Sequence, residues 1–129
     1  NDDSGAMGSW YAFNAIGIFP LAGTDIYLIN SPFFKKVTIY LSPLKTFTIL
    51  AHGLTDINIY VQNVTINNKE WKKTWFRHED ISSGAVMEFH MGPEPSKIWG
   101  VMEHHEGDKE IEDRVVPPSM SDILINKSN

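Results

Sequence analysis

The residues best suited to chemistry stand at the start of this 129-residue chain: Asn1, Asp2 and Asp3, which run through two glycines into Trp10 and Tyr11. Acidic side chains followed by glycines, a tryptophan and a tyrosine describe the floor of a site for a polar substrate. The flat indole of Trp10 can line a polar site by stacking on the C–H face of a sugar ring. A commoner use of such a run is structural. Acidic side chains at a helix N-terminus satisfy orphan amide groups and complement the helix dipole.

The element that must carry this run is a helix over residues 5–16. Trp10, Phe13 and Asn14 fall three and four apart, Gly17 is available as a left-handed terminator, and Pro20 stands just beyond. Met7, Trp10, Tyr11, Phe13, Ala15 and Ile16 surround this helix rather than forming one stripe. A helix that is apolar all round is buried on all sides, so it requires neighbours that a small domain cannot supply.

After Gly23 the apolar period falls to two. Val37, Ile39 and Leu41 alternate with polar positions, as do Phe47, Ile49 and Ala51, then Ile57, Ile59 and Val61, then Met87, Phe89 and Met91. Residues 25–30, 64–66 and 74–76 are shorter candidates. Ser31-Pro32, Ser42-Pro43, His52-Gly53, Asn67-Asn68 and Ser82-Ser83-Gly84 punctuate the series, and Asn67-Asn68 suits a hairpin tip. The pattern predicts a mainly β fold with one N-terminal helix (α+β), its strands forming an antiparallel β-sandwich. Phase predicts that Val37, Ile39, Leu41, Phe47, Ile49, Ile59, Val61, Met87 and Phe89 are buried, with Lys36, Thr38, Thr48 and Glu88 outward.

Composition narrows the function classes. A net charge of -5 with no strongly basic stripe disfavours nucleic acid and anionic membranes as partners. No apolar run approaches membrane-spanning length, and no cysteine is present for disulfides or thiolate metal sites. His104-His105 with Glu103 and Glu106 reads as a charged surface run, because adjacent histidines in an extended chain face opposite ways. His90 falls on the polar phase of its strand, His52 reads as a turn residue, and His78 as structural. Trp71, Trp75 and Trp99 suit core or edge packing. Asn63-Val64-Thr65 and Asn126-Lys127-Ser128 are glycosylation triplets that matter only in a chain secreted by a eukaryote. Residues 101–129 are polar, with Pro117-Pro118 interrupting them, and predict a solvated, mobile extension.

The opening segment resembles the signature of glycoside hydrolase family 92, exo-acting α-mannosidases in which an acidic triplet precedes Gly, Met, a small residue, Trp and Tyr. Ser31-Pro32-Phe33-Phe34, Tyr60-Val61-Gln62, Asn67-Asn68-Lys69-Glu70-Trp71 and His78-Glu79-Asp80-Ile81 resemble later phrases of that family in the same order. The resemblance runs to about residue 100. It implies hydrolysis of terminal α-linked mannose from glycans with inversion, on an α/α toroid joined to β-sandwich domains. Residues 1–20 would be the toroid's last helix with its acidic motif, and residues 21–100 the β-sandwich region. Asp3 matches the general base; Asn1 stands where the family often has Asp, leaving Asp3 to act alone. Trp10 would line the substrate site.

Inverting glycosidases hold two carboxyl groups about 6.5–9.5 Å apart. Adjacent Asp2 and Asp3 cannot be that pair, so the general acid, a glutamate by resemblance, is expected upstream. Calcium is also implied, with its ligands outside these residues. A chain opening inside such a motif reads as the C-terminal piece of a longer enzyme, inactive alone, whose partners are a mannose-containing glycan and the missing N-terminal part. The compartment is open, with secretion or the cell envelope as the expectation. The competing reading is a non-catalytic carbohydrate-binding or structural β-sandwich module, since sandwiches host many functions.

Overall fold

The computed structural model describes residues 15–100. The predicted helix over residues 5–16 therefore falls outside the described residues except for its last two, Ala15 and Ile16, which are helical. The expected contribution of residues 1–20 to a toroid, and the extension expected over residues 101–129, fall wholly or mostly outside them as well. Gly17 ends the helical turn with φ +99°, the left-handed geometry expected of a terminator. Eight strands follow: β1 (Ile18–Pro20), β2 (Ile26–Ile29), β3 (Lys36–Ser42), β4 (Lys45–His52), β5 (Tyr60–Ile66), β6 (Lys69–Glu70), β7 (Trp75–Arg77) and β8 (Ala85–Gly92). A single 3-10 turn, His78–Asp80, links β7 to β8.

The strands form two sheets, β1-β2-β7 and β3-β4-β8-β5-β6. Their facing sides share one core. Ile18 and Phe76 from the small sheet join Phe47, Ile49, Val64, Met87 and Phe89 from the large one. The Phe47 and Phe76 rings meet edge-on across the sheets at 5.9 Å. Among the described residues no polar or charged side chain is buried, so the two layers close over a dry interior.

Three expectations need correction. The sheets are not wholly antiparallel: β8 lies parallel to β4, pairing Phe47 with Ala85 through His52 with His90, while every other neighbour pair among the described residues runs antiparallel. The reason is connectivity. The β3–β4 and β5–β6 hairpins form locally, and β8 then fills the gap between β4 and β5 in the direction its preceding loop allows.

Ile59 is not buried. It is 47 % exposed, and Ile57 is 72 % exposed. These residues belong to a loop in which the Thr55 hydroxyl accepts hydrogen bonds from the Ile57 and Asn58 amides at 3.2 and 2.9 Å. The strand begins at Tyr60 and absorbs the separate candidate 64–66. A register shift between Val61 and Asn63 marks a bulge at Gln62, so the inward set becomes Val61, Val64 and Ile66.

Val37, Ile39 and Leu41 are only half-buried, because β3 is an edge strand with a single neighbour, β4, covering one flank. Thr48 and Glu88, expected outward, are half-buried in the crowded middle of the same sheet. Phe47, Ile49, Val61, Met87 and Phe89 are buried as phase required.

The Asn67-Asn68 tip behaves as expected. Both residues have positive φ, 51° and 66°, and join β5 to β6 with Ile66 opposite Lys69. The tip is also hooked to β8: the Asn67 side-chain carbonyl accepts from the Val86 amide at 2.9 Å, and the Asn67 amide donates to the Val86 carbonyl at 2.9 Å. Asn67→Ala removes the first bond and puts a Cβ-bearing, non-hydrogen-bonding residue in the left-handed region. The expected loss is about 1–3 kcal/mol of stability, read from the urea midpoint. Asn68→Gly at the adjacent position is expected to be neutral or stabilising.

Candidate active-site segment and its anchorage

The three residues that sequence reasoning placed at the site, Asn1, Asp3 and Trp10, lie outside the described residues. The structure does show what holds the chain immediately after them. The Ala15 carbonyl accepts from the Phe33 amide at 2.8 Å, and the Gly17 carbonyl accepts from the Asn30 amide at 2.8 Å. Ala15 and Ile18 are buried. The exit of the acidic segment is thus clamped to the loop after β2, the loop that contains Ser31-Pro32-Phe33-Phe34.

Gly17 is essential to that clamp. A Cβ there would meet the Pro32 Cβ at 3.1 Å and the Phe89 ring tip at 3.2 Å, in a backbone conformation that side chains other than glycine strain. The clamp therefore rests on the large sheet itself, through Phe89 of β8.

Beside it runs an open groove of about 610 Å³, lined by Ser31, Pro32, Phe33, Lys35, Leu54, Thr55, Asp56, Ile59 and Tyr60. Ser31 and Tyr60 also border a second groove of about 470 Å³ with Val61, Pro95, Ser96 and Trp99. The motifs Ser31-Pro32-Phe33-Phe34 and Tyr60-Val61-Gln62, distant in sequence, therefore share one rim next to the clamp. Phe33, Phe34, Ile57 and Ile59 are exposed there.

The remaining candidates are structural or superficial. His78 binds the Tyr27 hydroxyl through Nδ1 at 3.1 Å, and its amide donates to the Asp25 carbonyl at 2.8 Å, as a structural reading requires. Trp75 is buried, with the Lys73 ammonium 4.8 Å from its ring centre and the Arg77 guanidinium 5.6 Å away. The parallel pairing creates one cluster that sequence spacing could not show. His52 meets Glu88 Oε1 at 2.7 Å through Nε2 and stacks on the His90 ring at 5.1 Å. Only the register of β4 against β8 brings His52 and His90 side by side.

Comparison with known proteins places the chain. Residues 1–93 match the family model for the glycosyl hydrolase family 92 catalytic domain. A protein of Arthroderma benhamiae named an uncharacterized secreted glycosidase is 37 % identical over 124 residues, covering 93 % of this chain and 14 % of its own length. Among solved structures, the family 92 α-mannosidase BT3965 from Bacteroides thetaiotaomicron superposes with a TM-score of 0.68 at 35 % identity, covering 74 % of this chain and 13 % of that one. The family 92 glycosyl hydrolase ccman5 gives 0.70 at 33 % identity, covering 75 % and 13 %. The inverting mannosidase BT2199 from Bacteroides thetaiotaomicron gives 0.66 at 30 % identity, covering 73 % and 13 %. The chain spans about a seventh of the length of the proteins it matches. A catalytic-domain match from Asn1 to Pro93, together with the shared fold of the clamped β region, shows that this chain belongs to glycosyl hydrolase family 92.

Proposed function

We propose that this chain forms the general-base segment and supporting β region of an exo-acting α-mannosidase that removes terminal α-linked mannose from glycans with inversion. The observation that carries this reading is that the catalytic-domain match begins at Asn1, so the acidic triplet and Trp10 fall inside it. The BT3965 mannosidase binds mannoimidazole, and BT2199 is an inverting enzyme. Their chemistry is the best guide to the reaction here.

In this reading Asp3 takes a proton from water as that water attacks the anomeric carbon from the face opposite the leaving group. Asn1 holds the water, and Trp10 stacks against the sugar. The contribution of the β region is positional. Ala15 and Gly17 are pinned to a rigid two-layer core, so the segment carrying Asp3 starts from a fixed point. Calcium is expected from family resemblance with ligands outside this chain. The name of the Arthroderma relative supports secretion as the working expectation; separately, among the described residues no helix is long and apolar enough to cross a membrane.

One carboxylate of two cannot complete the reaction. The purified 129-residue chain, incubated with an aryl α-mannoside and calcium, is expected to give no turnover above blank. Turnover by this chain would show that acid and base both lie within it, and would overturn the division of labour proposed here.

A further inference from the structure

Asn63 heads the triplet Asn63-Val64-Thr65 and sits where β5 bulges. The bulge matters because it breaks the alternation that would otherwise govern this strand. Gln62 and Asn63 are both exposed, while Val61 and Val64 on either side are buried. Gln62 folds back onto the chain, donating to the Glu94 carbonyl at 2.6 Å. Among the described residues the Asn63 side-chain amide has no hydrogen-bond partner. It is a free polar group on a rigid strand, in a triplet whose third residue carries a hydroxyl.

What lies beside it is informative. Asn63 opens onto a recess of about 160 Å³ whose other walls are Gln62, Glu70, Trp71, Lys72, Ile98 and Trp99. Its walls mix two indoles and the 80 % exposed Ile98 with the polar side chains of Gln62, Glu70 and Lys72. Trp71 is held in place from two sides: its N–H donates to the Trp75 carbonyl at 2.9 Å, and its ring, like that of Trp99, packs in part against the core. A pyranose has the matching surface, with C–H faces for the indoles and hydroxyls for the polar side chains.

We infer that Asn63 is an N-glycan acceptor whose first sugar ring seats in the recess against Trp71 and Trp99. The inference rests on the secretion reading above, in a eukaryotic cell. The match to the fungal secreted relative extends over 93 % of this chain, past the 93 residues of the family model. In the transfer, the Asn63 amide nitrogen attacks the anomeric carbon of a lipid-diphosphate-linked oligosaccharide. An N–C bond forms, the bond from that carbon to the diphosphate oxygen breaks, the lipid diphosphate leaves, and the amide proton passes to a base of the host transferase. Because the triplet is used before folding is complete, the later half-burial of Thr65 is no obstacle.

The test supplies its own routing, which separates it from the secretion reading. The chain is expressed behind an added cleavable secretion signal in a yeast host, and glycan occupancy is mapped by peptide mass before and after enzymatic deglycosylation. Wild type is expected to carry a glycan on Asn63, lost in Asn63→Gln and in Thr65→Val and retained in Asn126→Gln. An unmodified Asn63, or a glycan on Asn126 alone, overturns the acceptor assignment whatever the natural route of the protein. Seating is read from the rate at which an endoglycosidase releases the Asn63 glycan from the native chain. Release is expected to be several-fold faster in Trp99→Ala and in Ile98→Ala, the second variant guarding against a folding defect in the first. Equal rates in wild type and both variants overturn the seating.

Discussion

Asp3→Asn in the enzyme that carries this segment is expected, from the proposed general-base role, to lower turnover by about a hundred- to ten-thousandfold. The change keeps the size and hydrogen-bonding shape of the side chain but removes its ability to accept a proton at neutral pH. Binding should change little, because the base acts on water rather than on the sugar. The loss therefore belongs in kcat, with KM for an aryl α-mannoside near its original value. The acidic limb of the pH–rate profile, which reports the ionisation of the base, should disappear with it. Asn1→Ala is expected to cost less, since in the proposed mechanism it removes only one hydrogen bond to the attacking water. Near-normal turnover in Asp3→Asn together with collapse in Asp2→Asn would move the base by one residue. Circular dichroism on each variant separates loss of chemistry from loss of fold.

The largest stability effect is expected at Phe89. It is fully buried in β8, the strand flanked by both β4 and β5, and its ring tip lies 3.2 Å from where a Gly17 Cβ would be. Phe89→Ala should cost about 3–5 kcal/mol, from lost transfer energy and from the cavity left where rigid sheets cannot collapse. That is a large part of the roughly 5–15 kcal/mol that stabilises a typical domain. Gly17→Val tests the same junction from the other side. It forces a branched side chain into a left-handed position, 3.1 Å from the Pro32 Cβ and 3.2 Å from the Phe89 ring tip, so one or both must shift. Urea denaturation should show both midpoints falling with an unchanged slope. If Gly17→Val unfolded at the wild-type midpoint, the clamp between the acidic segment and the sheet would not be as tight as its geometry requires.

Much of the β region was legible in the sequence because burial and period report the same thing there. Phe47, Ile49, Met87 and Phe89 alternate strictly, and all four are buried. Asn67 and Asn68 announced a turn that demands positive φ twice, and both have it. The failures have physical causes. Ile57 and Ile59 alternate as a strand would, but the Thr55 hydroxyl captures the local amides and turns them into a loop. The bulge at Gln62 then resets the phase, and no period-two reading anticipates an inserted residue. Parallel pairing of β4 with β8 leaves no local mark, because it joins segments more than thirty residues apart. The acidic triplet lies outside the described residues; its residue types alone favour a helix cap, and only the resemblance makes it a candidate site. The recess beside Asn63 needed the fold, since Trp71 and Trp99 are brought together by different segments.

The placement of β8 between β4 and β5 has a consequence for how such a chain is made. During synthesis, the β3–β4 and β5–β6 hairpins emerge with apolar inner faces, each with an edge that only β8 covers. Until residues 85–92 leave the ribosome, two open edges stand ready for any extended segment nearby. Folding of this region must therefore wait for its last strand, and non-local pairing of this kind is slow. A nascent chain halted before Ala85 would present sticky half-sheets rather than a partial domain, and would be a client for chaperones or proteases. A stop or frameshift that removes β8 should thus deplete the whole polypeptide from the cell, while leaving untouched every residue assigned to catalysis.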